Sequence, residues 1–197
     1  MPRTRYDRLM RSAIVPAAGS ATRFGGGKLV ADVDGELLLD RTIGVLLNAG
    51  VDEVVVVIPA RETWSGAITR FKDERVRTAV NPDPSRGMFS SIQIGAGIVT
   101  ATPIAVLPGD MPFVTVETVE RLFNIAVETG GIVSPRFQGR RGHPVILPGD
   151  VRATIATASP SATLKDVLLA HSDRFVNIDM TDPGVVRDVD VKDDLAR

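Results

Sequence analysis

The chain has 197 residues, 44% hydrophobic and 24% charged, the proportions of a soluble globular protein with a sizeable core. Its formal net charge of −1 gives no footprint for nucleic acid or an anionic membrane, and the absence of cysteine excludes disulfides, thiolate metal sites and a cysteine nucleophile. No apolar run approaches the ~20 residues of a membrane helix, so the expectation is a cytoplasmic protein with no nucleic-acid and no membrane partner.

Residues 1–11 are basic and lack an apolar stretch, and read as a flexible N-terminal arm; residues 12–197 read as a single domain. Ala13–Val15, ending at Pro16, is a short apolar run that predicts a buried first strand. Residues 36–49 set Leu39, Ile43 and Leu46 on one helical face with Gly50 as the stop. "EVVVVIPA" (53–60) is a continuous β-branched run, the mark of a strand covered on both faces in a parallel sheet. A helix over 64–73 and a strand over Val76–Val80 follow. After the loop "NPDPSRGMF", Ser90 or Ser91 is expected to cap a helix running to about Thr100.

"PIAVLPGD" (103–110) predicts a fourth strand ending in a turn, and 116–129 an amphipathic helix between Thr115 and Gly130. The alternation of strand and helix argues for right-handed βαβ units in an α/β fold, a three-layer α/β/α sandwich with a Rossmann-like, mostly parallel sheet. In the last third, "GIVSPRF" and "HPVILP" flank "QGRRG", which predicts a hairpin and so an antiparallel strand addition. A helix near Ala162–Ala170 and two strands, "FVNIDM" and "VVRDVDV", joined by "TDPG", complete the pattern. Ligands of such sheets bind beyond the carboxyl ends of the strands, which brings the loop after the first strand, the 81–91 loop and Gly109-Asp110 to one edge.

"VPAAGSATRFGGGKLV" (15–30) is the stretch most suggestive of phosphate. It is not a P-loop: Lys28 follows Gly27, but Thr22 stands five before that glycine and Leu29 replaces the magnesium-ligating hydroxyl. A dinucleotide fingerprint, and with it an NAD(P)-dependent oxidoreductase, fails on spacing, because Gly19 is followed by Ser20 and Ala21. What remains is Gly19, which lets the backbone turn and turns N–H groups toward an anion, with Arg23 and Lys28 as two cations. Only 4 of the 23 basic residues are Lys, which makes Lys28 conspicuous. An ordinary strand–helix connection with incidental charges is the other reading.

Other groups carry similar pairs of readings. Asp110, after the fourth strand, suits a Mg²⁺ ligand beside a triphosphate, or a turn Asp bonded to its own backbone. Asp188 and Asp190 share a face if their stretch is a strand, and either is a second carboxylate for the ion. Asn81, Arg86, Gly87, Ser90 and Ser91 surround a helix start that suits a base, a ribose or a phosphate, or simple capping. Arg140, Arg141 and His143 lie on the predicted hairpin, His143 without a nucleophile partner; His171 sits at a helix end.

"PAAGSATRFGGGKL" resembles the LAAGxSxRFGxxK signature of MobA-like nucleotidyltransferases, in particular the molybdenum cofactor cytidylyltransferase branch of this nucleotide-diphospho-sugar transferase type of fold. "RGMFSSIQIG" (86–95), "PGDMPFV" (108–114), "GRRGHPVIL" (139–147) and "DVDVKDDL" (188–195) are similar to further segments of that branch, in the same order. The resemblance implies a Mg²⁺-dependent transfer of CMP from CTP to molybdopterin with release of pyrophosphate. It implies a nucleotide site at Ala17, Ala18, Gly19, Ser20, Arg23, Lys28, Asn81, Gly87, Ser90 and Ser91, with Arg23, Lys28 and Asp110 catalytic. Acceptor contacts would come from Arg141, Gly142 and His143, and metal ligands from Asp110 and Asp190. Ala18 goes with cytosine in that family, where Gly goes with guanine. A molybdenum hydroxylase apo-enzyme would receive the product. Pro16, Ala21 and "DVDVKDD" depart from the family pattern. Other expectations stand beside it: a guanylyltransferase using GTP, a transferase for a sugar or polyol phosphate, and a non-catalytic cofactor-binding chaperone.

Overall fold

Ser12–Pro16 (β1) is buried at every position and lies at the centre of the main sheet. The computed structural model describes residues 9–19, 28–60, 73–191 and 194, so most of the expected arm and the expected 64–73 helix fall outside the described residues. A small hairpin, Asp32–Val33 (β2) and Glu36–Leu37 (β3), precedes helix α1 (Leu38–Asn48). Then come β4 (Glu53–Pro59), β5 (Val76–Asn81), α2 (Met88–Ile98), β6 (Ile104–Val106) and α3 (Val116–Thr129). The last third holds β7 (Ile132–Phe137), β8 (Arg140–Arg141), β9 (Val145–Leu147), α4 (Gly149–Thr157), α5 (Leu164–Leu169) and β10 (Phe175–Asp179).

The sheet runs β10-β7-β9-β6-β1-β4-β5, with β8 paired to β7 outside this path. β1 is parallel to β4 and β6, β4 to β5, and β10 to β7. β9 is antiparallel to both β6 and β7. The antiparallel addition therefore sits inside the sheet rather than at its rim.

Alternation along the strands makes the three layers. Ala13, Val15, Val54 and Val56 face α1 and α3, against Leu39, Ile43, Leu46, Leu122 and Phe123. Ile14, Val55 and Val57 face the other way, toward Ile92 of α2, Val151 and Ile155 of α4 and Val167 of α5. Each such Val, Leu, Ile or Phe contributes roughly 1.5–3 kcal/mol on full burial. Thr115 caps α3 through its side chain and Gly130 ends it in the left-handed region, at the boundaries the sequence predicts.

Two expectations need correction, and one helix was not foreseen. Ser90 and Ser91 do not cap α2: they lie inside it, each 2% exposed, and Gly87 takes the cap position with φ 83°. The reason is Asn81, whose buried amide donates to both hydroxyls at 2.8 and 2.9 Å. "VVRDVDV" is not a strand. Pro183–Val186 is a 3₁₀ turn, and the backbone beyond it makes single bonds to separate elements instead of a ladder. Helix α4 was not expected, because only Val151 and Ile155 are buried in a threonine-rich segment whose hydroxyls bond back to their own helix.

Candidate active site

At the carboxyl ends of β1 and β6 the chain opens a cleft of about 290 Å³, bounded by Ala17, Ala18 and Gly19 on one side and Gly87, Met88 and Ser91 on the other. Ala17 continues β1 by one bond, donating to Val57 O at 2.8 Å. The first turn of α2 has no side-chain cap, so its partial positive end faces the cleft through Gly87 and Met88.

Lys28 begins a short 3₁₀ turn whose Leu29 is buried, and its own side chain is only 8% exposed. Its Nζ donates to Asp110 Oδ2 at 2.8 Å and to Asp190 Oδ1 at 3.1 Å. Asp110 is held from below: Gly109 N donates to Pro16 O at 3.0 Å, and the buried Thr42 hydroxyl donates to Gly109 O at 3.1 Å. From the far end of the sequence, Val189 N donates to Asp110 O at 2.9 Å, and Asp194 accepts from the backbone N–H groups of Asp190 and Val191. Ligand oxygens of Asp110, Asp188 and Asp190 lie within 4.8 Å of one another.

Burial disfavours the Lys28 ammonium, but hydrogen bonds and charge from Asp110, then Asp190, outweigh it and raise its pKa above the ordinary value. Three carboxylates thus gather around a single ammonium. The Lys28 ammonium is itself a stand-in cation here. Together with an all-oxygen carboxylate donor set, it shows that the residues fit a hard divalent ion such as Mg²⁺ or Mn²⁺. Both Asp188 and Asp190 join Asp110, although their stretch is no strand.

The other candidate residues are placed as follows. Gly87 and Ser91 line the cleft, while Asn81 and Ser90 are buried behind them at 1% and 2% exposure. Ser20 and Arg23 lie outside the described residues. Gly142 is packed on the chain at Val185: an added Cβ would stand 2.1 Å from that carbonyl oxygen. His143 N donates to Val185 O at 2.8 Å. Burial pushes the His143 imidazole below its usual range, against the pull of the Val106 carbonyl, Asp110 and Asp188, so it is neutral near pH 7. Arg141 is exposed and turned to β10, with Nε on Asn177 Oδ1 at 3.0 Å and its guanidinium 5.0 Å from the Phe175 ring. Thr42, which fixes the Asp110 loop, escaped the sequence reading, since a threonine inside a helix carries no signal of such a task.

Architecture and cleft define the class: this is the fold of nucleotidyl transferases. A nucleotidyl transferase from Methanothermobacter thermautotroptrophicus superposes with a TM-score of 0.75, at 22% identity over 95% of each chain. Rv0371c from Mycobacterium tuberculosis H37Rv, in its complex with manganese, superposes with a TM-score of 0.73 at 23% identity, over 96% of this chain and 97% of that one. The chain belongs to the MobA-like NTP transferase domain family, whose model matches residues 13–175. Among curated relatives it is similar to the molybdenum cofactor cytidylyltransferase of Escherichia coli K12, 22% identical over 183 residues and 92% of each protein. It is also similar to a probable molybdenum cofactor guanylyltransferase of Methanosarcina acetivorans, 32% identical over 120 residues, 59% of this chain and 53% of that protein. Among the described residues no helix is long and apolar enough to cross a membrane.

Proposed function

We propose that this nucleotidyltransferase transfers CMP from CTP to the terminal phosphate of molybdopterin, with a divalent cation, Mg²⁺ in the cell, at the carboxylate cluster. The convergence of Asp190 on Lys28 and Asp110, which line the cleft, is the observation that carries the reading. Membership of the family and the name of the Escherichia coli relative support the substrates.

A terminal phosphate oxygen of the acceptor attacks the α-phosphorus of CTP. The new P–O bond forms as the bond to the bridging oxygen breaks, and pyrophosphate leaves with that electron pair. The acceptor arrives ionised, so no protein nucleophile is needed. Asp110 and Asp190, with Asp188, would hold the cation, which supplies neutralisation of charge on the transferring phosphate and on pyrophosphate. Lys28 lines the same cleft, and its ammonium would turn to the triphosphate as the cation takes over its two carboxylates. Arg23 is proposed as the second phosphate cation. The 17–19 turn and the uncapped start of α2, with Gly87 and Ser91, would receive the nucleotide, and Ala18 would favour cytosine. Asn81 and Ser90 act by holding α2 in place. Gly142, His143 and Arg141 are proposed for the acceptor side, with neutral His143 as a hydrogen-bonding group and not a base.

The test is pyrophosphate release from protein incubated with Mg²⁺, purified molybdopterin and each nucleoside triphosphate in turn. Release with CTP is expected. Silence with every nucleotide overturns molybdopterin as acceptor, and release with GTP instead of CTP overturns the assignment through Ala18, in favour of the guanylyl transfer named for the Methanosarcina relative.

A further inference from the structure

Two of the three clustered carboxylates ride on a segment that belongs to no strand, and a set of side-chain hydrogen bonds fastens its start. Asp182 Oδ2 accepts from Thr115 N at 3.0 Å, Thr115 Oγ1 at 3.1 Å and Thr118 Oγ1 at 2.7 Å, while its Oδ1 accepts from Gly184 N at 2.8 Å. This carboxylate thus sits on the first turn of α3, where the helix favours an anion, and closes the turn that starts the segment. Thr118 is 3% exposed. Beyond the anchor the chain is threaded closely: a Cβ on Gly184 would lie 2.0 Å from Phe113 O. Val185 O takes the N–H of His143, and the fully buried Val189 donates to Asp110 O. Asp188 and Asp190 flank Val189, so the placing of that residue carries both carboxylates to Asp110.

We infer that Asp182 is a positioning residue for the cation site: its grip on the start of α3 sets Asp188 and Asp190 against Asp110 and so fixes the affinity of the cluster for a divalent ion. This rests on the cation reading given above. Asp182 touches neither the ion nor a substrate; it acts through the backbone between residues 182 and 190. By the same backbone it holds Val185 under His143, so the hairpin proposed for the acceptor is referenced to the same anchor.

The test measures Mn²⁺ binding to the full chain with no nucleotide or acceptor, by the loss of the free-ion electron paramagnetic resonance signal. Asp182→Ala is expected to raise the Mn²⁺ dissociation constant about ten-fold or more, the usual effect of removing a group that orients ligands. The Mg²⁺ concentration for half-maximal pyrophosphate release should rise by a similar factor, with turnover returning at high Mg²⁺. Thr118→Val removes one donor to Asp182 with little change of shape and should raise the constant ~2- to 10-fold. A purely structural part for Asp182 lowers the melting temperature and the active fraction but leaves the constant of the folded molecules unchanged. Unchanged constants in both variants, or in Thr118→Val alone where Asp182→Ala does not fold, overturn the inference. If the unaltered protein binds no Mn²⁺, the cation reading falls and the inference falls with it, an outcome distinct from variants that bind as the unaltered protein does.

Discussion

An ammonium group as buried as that of Lys28 needs compensation, and it receives it from Asp110 and Asp190 at 2.8 and 3.1 Å. Lys28→Met keeps the stem and deletes the charge. Asp110 and Asp190 then lose their ammonium partner, and the proposed phosphate site loses a donor. Pyrophosphate release should fall by about 10²–10³, the usual cost of one such group, in a steady-state assay. Asp110→Ala should abolish turnover while a cooperative melt persists, because the bonds that Val189 and Gly109 make around this residue are backbone bonds; activity in that variant would place the reaction elsewhere. His143 gives a pH dependence. Its folded pKa lies below the ordinary 6.5 because it is buried, so the unfolded chain binds the proton more readily. The stability it contributes is complete above pH 6.5 and is lost as the pH falls through 6.5 toward the depressed folded value. Melting temperatures at about pH 7.5 and about pH 5.5 should differ more in the unaltered protein than in His143→Gln.

At the scale of elements, the segment after β10 is locked by close backbone approach both to the turn between β8 and β9 and to the loop between β6 and α3. A Cβ added at Gly142 would stand 2.1 Å from Val185 O, and one at Gly184 2.0 Å from Phe113 O, separations no side chain tolerates. Because the opposing atoms are backbone, a side chain cannot rotate away. Gly184→Ala should cost about 1–3 kcal/mol, a fall in melting temperature of ~2–4 °C per kcal/mol, and should weaken Mn²⁺ binding with it. How far elements were legible follows from where their information lies. The valine run of β4, the capped ends of α3 and the apolar stripe of α1 are local patterns, and the sequence read them well. Helix α4 has almost no stripe, and the β2–β3 hairpin announces itself only by Asp34-Gly35, both at positive φ. The "VVRDVDV" stretch carries a strand's alternation, but no neighbouring strand offers it a ladder. The site was legible as residue types in family motifs, Lys28, Asp110 and Asp190 among them. Their pairing was not: partners 82 and 162 positions apart leave no mark in local spacing.

Across the whole molecule the two ends of the strands are put to different uses. The carboxyl ends carry the cleft; the amino ends carry a buried acid, Glu53, whose Oε2 accepts from Ser12 Oγ at 2.7 Å and Thr100 N at 2.8 Å, with Arg77 on Oε1. Glu53→Ala strands the fully buried Ser12 hydroxyl, worth about 1–3 kcal/mol when left without a partner. The melting temperature should drop while the Mn²⁺ dissociation constant stays put; a shift in both would mean that the two ends are coupled. The span from Lys28 through Asp110 to Asp190 has a further consequence. An ion shared by Asp110, Asp188 and Asp190, as proposed, would act as a removable cross-link between distant parts of the chain. By mass action, Mn²⁺ at a hundred times its dissociation constant should stabilise the fold by about 2.7 kcal/mol, seen as a rise in the unfolding endotherm with ion concentration. Contacts of this sequence range close after local ones, so a partly folded copy has no cluster to offer. Such a copy would neither hoard metal nor waste nucleotide.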